Sequence, residues 1–560
     1  MSIRKVSLLI LAAILVAVPL FSVACSDDDA LSASFRATPT SGPAPLEVTF
    51  TSTSTADESD DIVSYAWDFD GDGTVDDTVT TDNVKWTYEE EGTYDVALTV
   101  TTTGGDTDTV TETGFVIVGS FVADFSANVE TVTFAAAGGT PTAIQFTDAS
   151  VSDETITAWA WDFDGDGTVD SNLQNPTHTY AGAVNRYDVS LTITSSEGTK
   201  TRTKEGFIIV HADSYDAVSL KLNYPMATGQ TASKPADKFA ELADTYSGGT
   251  VDVVVYGGGA ALYGYGYDMP AVAAGDIDIA WMSPFFLRNV SPCLDPFGGI
   301  PNLVITYQQA RVILDTPVTA MVDGAVQAAL GSKVLGWFES ILGGLMAGKQ
   351  DMGSTFVKDV WAGKKFGGLY EGAMAPEQAY AGLEELVVGG LNEITEAALG
   401  NYDVSGTSWD HYAETGLIDY FPHAMVTVNF SPMVALMNLT KLNSLPTNTQ
   451  DLITKVIVPE CQDYARAIAL QDHAEVLKVM AETCDSLNIQ TPVQGKAVYD
   501  NMVAEGWTPM TDRITAFQEG FAGLGAQIFG ILSLTVSQAP QWDQDFLDML
   551  EYAGLTPPAL

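Results

Sequence analysis

The sequence predicts a multidomain chain, with two tandem β-sandwiches in front of an α/β region. Three observations carry this reading. The ten residues from Trp67 to Asp76, WDFDGDGTVD, recur unchanged from Trp161 to Asp170. A strict apolar alternation follows each copy, at Tyr94, Val96, Leu98 and Val100 and again at Tyr187, Val189, Leu191 and Ile193, which marks half-buried strands. From about residue 215 the pattern changes to strand, helix, strand, helix, strand and repeats no further.

In chain order, residues 1–24 read as an export signal. Arg4 and Lys5 form a basic start, Val6 to Val18 is apolar, and Ser22-Val23-Ala24 precedes Cys25. This resembles a lipoprotein signal with Cys25 as the lipidated residue, residues 25–30 as an Asp-rich tether and the mature chain on the outer face of the cytoplasmic membrane or in the periplasm. Ser22 stands where a lipobox carries Leu, so an uncleaved membrane anchor is the alternative. Cys293, Cys461 and Cys484 remain, an odd set without metal-ligand spacing. Cys461 and Cys484 either pair in an oxidising compartment or stay as buried thiols.

The repeated modules, of about 90 residues each, run over 31–119 and 120–211. Short Thr-rich strands with no helical period indicate sandwiches. With Trp67-Asp68-Phe69, Tyr88 and the Tyr94 to Val100 strand, and their counterparts in the second copy, each module resembles the PKD domain, which implies an immunoglobulin-like fold. Both copies carry an extra Asp-Gly step. It sets Asp68, Asp70 and Asp72, and likewise Asp162, Asp164 and Asp166, at alternate positions before a Gly turn, the first half of a calcium loop. The twelfth position, where a Glu would close the coordination, holds Val79 and Leu173. Calcium is therefore one reading and simple capping of a β-turn the other; no other cofactor is expected.

In the unrepeated region, Val218 to Tyr224 reads as a strand. Pro235 opens a helix with Phe239, Leu242 and Tyr246 on one face, stopped by Gly248-Gly249. Thr250 to Tyr256 is a strand of parallel-sheet character, Met269 to Ala274 a short helix, and Ile277 to Trp281 the next strand. A ligand site is expected beyond the carboxyl ends of these strands. Phe239-Ala240-Glu241, Gly248 to Tyr256, Ala271 to Ala280, Ser283-Pro284, Gly363 to Phe366, Tyr412 to Asp419 and Leu445-Pro446 together resemble the solute-binding proteins of TRAP transporters. The resemblance spans about residues 215 to 540, in a domain expected over 215–560. It implies a two-lobed α/β periplasmic-binding-protein fold that closes on a small organic solute and passes it to a TRAP permease in the membrane.

The family's motif ends in an Arg that clamps a ligand carboxylate; here Gly367 stands at that place, two residues after Lys365. Only Arg288, Arg311, Arg466 and Arg513 follow residue 210. The expected cleft lining is instead aromatic: Tyr224, Trp281, Phe338, Tyr370 and Trp409, with the Ser283 hydroxyl to orient the solute and Lys365 as a point charge. An apolar, aromatic or neutral solute is expected to fit it. The run from Tyr263 to Tyr267 is either a lid or an exposed Gly-rich loop.

The balance of 73 acidic against 24 basic residues, a net charge of -49, excludes nucleic acid as a partner. There is no HExxH, GxSxG or P-loop, and the five histidines form no ligand set, so no enzyme is expected. Two rival functions remain, a surface adhesion or glycan-binding lipoprotein and a secreted hydrolase. The sandwiches are expected to serve as a stalk, with the chain from Asp213 onward folding and binding alone. The apolar stretch from Phe521 to Leu534 is too short for a bilayer and reads as a buried helix.

Overall fold

A computed structural model describes residues 31–558 except 57–60, 136–140, 227, 265, 298–302, 305, 315, 340–343, 352, 369–378, 388–399, 409–411, 414–415, 428–431 and 536–543. Cys25, Tyr370 and Trp409 lie outside the described residues.

Each repeat forms a two-sheet sandwich. In the first, Phe35–Thr38, Leu46–Ser52 and Asn83–Tyr88 make one sheet, and a five-stranded sheet centred on Gly92–Thr102 makes the other. The alternation works as the sequence implies: Val96, Leu98 and Val100 are fully buried while the residues between them are not. The repeated motif supplies the core. Trp67 and Phe69 stack in near-parallel planes at 5.7 Å, and Trp161 and Phe163 repeat this at 5.8 Å. The later Tyr of each module locks the motif, since the Tyr88 hydroxyl donates to the Phe69 carbonyl (2.7 Å) and Tyr180 to Phe163 (3.0 Å). Asp124 joins the two sandwiches, accepting from the Thr40 hydroxyl (2.8 Å) and pairing with Lys204 (3.2 Å).

The C-terminal region holds two sheets. Strands β1 (Val218–Tyr224), β2 (Val251–Gly257) and β3 (Ile279–Met282) run parallel, with β4 (Ser332–Phe338) beyond them. Between β1 and β2, α1 (Lys234–Ser247) carries Pro235 in its first turn, buries Phe239 and Leu242, and stops at Gly248, whose φ of 61° suits glycine. Helix α2 (Asp268–Ala274) ends likewise at Gly275. The second sheet contains β5 (Gly344–Gly348), β6 (Lys365–Gly368), β7 (Glu384–Val387), β8 (Val404–Ser408) and β9 (His423–Thr427). Strand β10 (Met433–Asn438) returns to the first sheet between β3 and β4, and β11 (Ser486–Ile489) pairs with β9 in the second.

The chain thus passes between the sheets three times. It crosses from β4 to β5, back from β9 to β10, and a third time along the helix α3 (Val458–Thr483), which leads from the first sheet's side into β11. Early in α3 the Gln462 amide donates to the Trp337 carbonyl (3.1 Å). A π-helical turn, Leu452–Ile457, precedes α3; such turns are rare in proteins and concentrate at functional positions. Among the described residues no helix is long and apolar enough to cross a membrane. The expected C-terminal helix is present over Leu524–Thr535, with Ile528 and Leu532 fully buried. The described cysteines are all free, including Cys461 and Cys484.

The sandwiches do not stand off from this region as a stalk would. One apolar core runs from Phe125, Trp161 and Val210 through Ala212 and Tyr215 into Leu220, Leu222 and Trp281. Arg186 of the second sandwich pairs with Asp463 on α3, and the His211 ring meets Tyr246 of α1 edge-on at 5.3 Å. The first sandwich also reaches the region: a Cβ on Gly73 would lie 4.0 Å from the Tyr552 ring.

Candidate functional site

Because β1, β2 and β3 are parallel, and β4 is antiparallel to a strand that is itself antiparallel to β3, these four share one carboxyl edge. The β4-to-β5 crossing leaves from that edge, which is where a parallel α/β sheet takes its ligand.

The residues expected to line it fall in several environments. Trp281 and Phe338 come together, with ring centroids 4.1 Å apart, but both are fully buried in the core shared with the second sandwich. The structure places them as packing rather than on an open wall. The reason is non-local: the second sandwich, the π-turn and α3 join the cluster that covers them. Tyr224 is also buried. Its ring lies against Gly257, where a Cβ would come 2.1 Å from it, and its hydroxyl donates to Asp237 of α1 (3.0 Å). Burial raises the pKa of both groups. The Ser283 hydroxyl accepts from the Phe285 N–H (3.3 Å) and so caps a short 3-10 turn. Tyr263 and Tyr267 of the Gly-rich loop are at the surface to differing degrees, Tyr267 at 71% exposure.

On the second sheet Lys365 is exposed and its N–H donates to Asp403 (3.0 Å). Gly367 is buried for a steric reason. A Cβ there would come 2.5 Å from two carbons of the Tyr402 ring, which itself packs on Phe421 at 4.9 Å. The ring occupies the space a side chain at 367 would need.

Three polar features of the first lobe escaped the sequence reading. Glu339, immediately after β4, is only 4% exposed and is held by two arginines: Arg311 Nη2 at 3.0 Å and Arg466 Nε at 3.2 Å. The indole N–H groups of Trp281 and Trp337 are buried with no acceptor among the described residues. Asp268, at the start of α2, is fully buried; one oxygen accepts from the Met269 N–H (2.9 Å), the other has no partner among the described residues, and burial pushes its carboxyl up to about 7. The scarcity of arginine after residue 210 is the signal that could have found Arg311 and Arg466.

The Asp-rich turns have their own geometry. Asp68 accepts from the N–H groups of Gly71 (2.7 Å) and Gly73 (2.9 Å), and Asp162 repeats this with Gly165 and Gly167. Burial, aided by Asp72 and Asp70, raises the Asp68 carboxyl to about 6 against those two bonds. In the second turn Asp162, Asp164 and Asp166 have oxygens within 4.8 Å of one another; in the first, Asp76 joins Asp68 and Asp70 in place of the expected Asp72. The Phe69 N–H fixes Asp76 there (2.7 Å), while Asp72 accepts from Thr74 (2.7 Å). An all-oxygen set of this kind fits a hard cation such as calcium.

Comparison with known proteins agrees with this architecture. Residues 34–118 and 127–210 each match the model of the PKD domain, and residues 222–344 match that of the bacterial extracellular solute-binding protein, family 7. No curated protein matches the chain. Similar solved structures include the sugar acid binding protein DctPAm from Advenella mimigardefordensis in complex with galactonate, at 16% identity and a TM-score of 0.49 over 58% of this chain and 99% of that one. A TRAP periplasmic solute-binding protein from Sulfurospirillum deleyianum with bound succinate is 18% identical, with a TM-score of 0.48 over 57% and 99%. DctP6 of Bordetella pertussis, an extracytoplasmic solute receptor binding pyroglutamic acid, is 16% identical, with a TM-score of 0.47 over 57% and 100%.

Proposed function

We propose that this chain, two PKD domains ahead of a family 7 solute-binding region, is an extracytoplasmic receptor that captures a small organic solute between its lobes and delivers it to a TRAP-type permease. The observation that carries the reading is the triple passage of the chain between two sheets at the carboxyl edge of β1, β3 and β4. Two lobes joined by a few segments at one edge can change their mutual angle while each keeps its own hydrogen bonds, which is the hinge a closing receptor needs. Binding without chemistry is consistent with the site's groups. Glu339 is engaged by two cations and Tyr224 by Asp237.

In this reading Cys25 carries a lipid that holds the protein at the membrane, within reach of the permease. A chain with a net charge of -49 gains nothing from anionic headgroups, so an acyl anchor rather than a charged face supplies the attachment. Ligand-dependent thermal shifts of the full chain across a metabolite panel test the receptor reading. Ligand at about a hundred times its dissociation constant stabilises by ~2.7 kcal/mol, which a melting curve resolves. Mass spectrometry of the mature N-terminus tests the anchor: a diacylated Cys25 supports it, and an intact segment 1–24 in the membrane-bound protein refutes it. Co-purification of membrane transport subunits supports delivery, whereas retention on polysaccharide without them favours an adhesive role.

A further inference from the structure

We propose that the first sandwich braces α3 between the two lobes, so that a domain outside both lobes helps to set the angle between them; this rests on the receptor reading and adds a control on its closing movement. The Asp-rich turn of that sandwich lies on the C-terminal helix α4 (Gln544–Tyr552), with Gly73 against the Tyr552 ring, and α4 in turn packs on α3.

Different lobes hold α3 along its length. Toward its start the Gln462 amide reaches the Trp337 carbonyl, and further on Asp472 accepts from Lys234 Nζ (2.8 Å) and from the Thr231 hydroxyl (2.8 Å) of the first lobe. Past its end the Asp485 N–H donates to the Pro422 carbonyl (2.8 Å), and the chain enters β11 of the second sheet. The stretch from Asp472 to Asp485 therefore makes one of the three passages between lobes, and a change of their mutual angle is taken up there and at the other two.

The sandwiches form a second route around the same stretch. The second sandwich shares its core with the first lobe, and its strand Asn185–Ser195 packs on the π-helical turn ahead of α3. The first sandwich is tied to the second, since Arg202 Nη2 donates to the Gly114 carbonyl (2.6 Å) and the Ser41 hydroxyl to the Ala149 carbonyl (3.2 Å). Its strand Thr107–Val118 lies against α3, where burial and the Asp108 charge raise the pKa of the Tyr464 hydroxyl. Its Asp-rich turn then meets Tyr552, whose ring lies under Lys478 Nζ (5.0 Å). Tyr464 and Lys478 are about 21 Å apart along the helix at the α-helical rise, so the first sandwich touches α3, directly and through α4, on both sides of Asp472. A swing of the second lobe that carries the end of α3 with it has to part Gly73 from Tyr552 or drag the sandwich along. The shared core holds the sandwiches to the first lobe, so the lobe angle that keeps the contact is favoured.

The repeat supplies its own control. Gly73 and Gly167 occupy the same place in the two turns, with φ of 80° and 81°, but a Cβ on Gly167 would meet nothing within 4 Å. Asn tolerates this left-handed backbone, so Gly73→Asn presses on Tyr552 while Gly167→Asn projects into open space. In the full chain, Gly73→Asn should speed hydrogen exchange of α4 by ~5-fold or more, the lower end of what overpacking costs, and Gly167→Asn should leave it unchanged. Spin labels at Val254→Cys and Val357→Cys, exposed sites in β2 of the first lobe and between β5 and β6 of the second sheet, read the distance between lobes once the half-buried Cys484 is replaced by Ser. Gly73→Asn should shift or broaden that distance, and Gly167→Asn should not. Tyr552→Ala removes the contact from the other side and should act likewise, while abolishing the response to Gly73→Asn when the two are combined; it also serves if Gly73→Asn fails to fold. Lobe distances identical in all variants would overturn the brace and leave the receptor reading, which solute-induced melting shifts decide separately, as it stands. Equal responses to Gly73→Asn and Gly167→Asn would also overturn it, because the effect would then arise inside a sandwich. A chain whose lobes answer Gly73→Asn but whose melting temperature answers no solute would keep the brace and lose the receptor.

Discussion

Gly367→Ala isolates the consequence of the glycine at the motif's last position. The backbone there is not in the left-handed region, so the added methyl acts through sterics alone. It would arrive 2.5 Å from Cδ2 and Cε2 of Tyr402 and 2.8 Å from Cγ, about 1 Å inside normal carbon contact. Tyr402 is 1% exposed and rests on Phe421, so it has little room to retreat. Overpacking of this kind costs about 1–3 kcal/mol. For a domain of this size each kcal/mol lowers the melting temperature by ~2–4 °C, so a cost of about 2 kcal/mol implies a fall of ~4–8 °C. Tyr402→Ala alone should cost about 3–5 kcal/mol by leaving a cavity. The double variant should be less damaged than the sum, because the methyl enters the vacated space; independent sites would add within ~0.5 kcal/mol. Urea denaturation of the four proteins closes the cycle. A neutral Gly367→Ala, or strict additivity, would show that Tyr402 does not fill this position. Gly367→Arg, which restores the family's residue, should destabilise more than Ala and create no new carboxylate affinity.

Trp281→Ala should cost about 3–5 kcal/mol without any solute present, since a fully buried indole on Phe338 leaves a cavity; an unchanged melting temperature would return Trp281 to the role of an open ligand wall. Asp268 has a folded-state pKa raised to about 7 from 3.8, so the folded protein binds its proton more tightly than the unfolded chain and stability falls as pH rises from about 4 to 7. Asp268→Asn should therefore gain stability relative to wild type at about pH 8 and lose that gain near pH 4, and a difference that is flat with pH would refute the assignment. A chain beginning at Asp213 should melt lower than the full protein and bind more hydrophobic dye, because it cuts the core that joins Val210 and Ala212 to Leu220 and Trp281; equal stability would restore the sandwiches to independent spacers. Calcium should raise the melting temperature of the full chain and chelation reverse it, with Asp68→Asn and Asp162→Asn each removing part of the effect; no response in wild type would leave the aspartates as turn caps.

The sandwiches were readable from the sequence because their determinants are local and occur twice. Alternation at Val96, Leu98 and Val100, a Trp and a Phe two residues apart, and a later Tyr state a strand, a core and a corner within one module. The first lobe was readable for a related reason: Pro235 and Gly248 punctuate α1, and the valine-rich stretch Val251 to Val255 announces a strand. The Asp-rich turns were half readable. Their spacing sets Asp68 and Asp70 side by side, as the fold does, but Asp76 enters the first group through the Phe69 N–H, a contact fixed by how the loop folds back.

The site was less legible, because whether an aromatic at a strand end lines a cleft or fills a core depends on what covers it. Period and position are identical in the two cases. Trp281 ends its strand as a ligand wall would, yet the second sandwich and the π-turn contribute to the core around it, and neither is near it in sequence. The charged cluster beyond β4 is harder still. Arg311, Glu339 and Arg466 are separated by 28 and 127 positions, and no spacing rule connects a helix, a strand end and α3 across such distances. Composition does carry a trace of it. In a chain where acidic residues outnumber basic ones by 73 to 24, a buried carboxylate that takes two of the four arginines after residue 210 is a concentration of cations that the surface cannot explain. Desolvating Glu339 costs several kcal/mol, and one arginine already meets its charge. The second arginine reaches the same carboxylate from a third segment, so the cluster exists only once helix, strand end and α3 have come together, which is why no local pattern announces it.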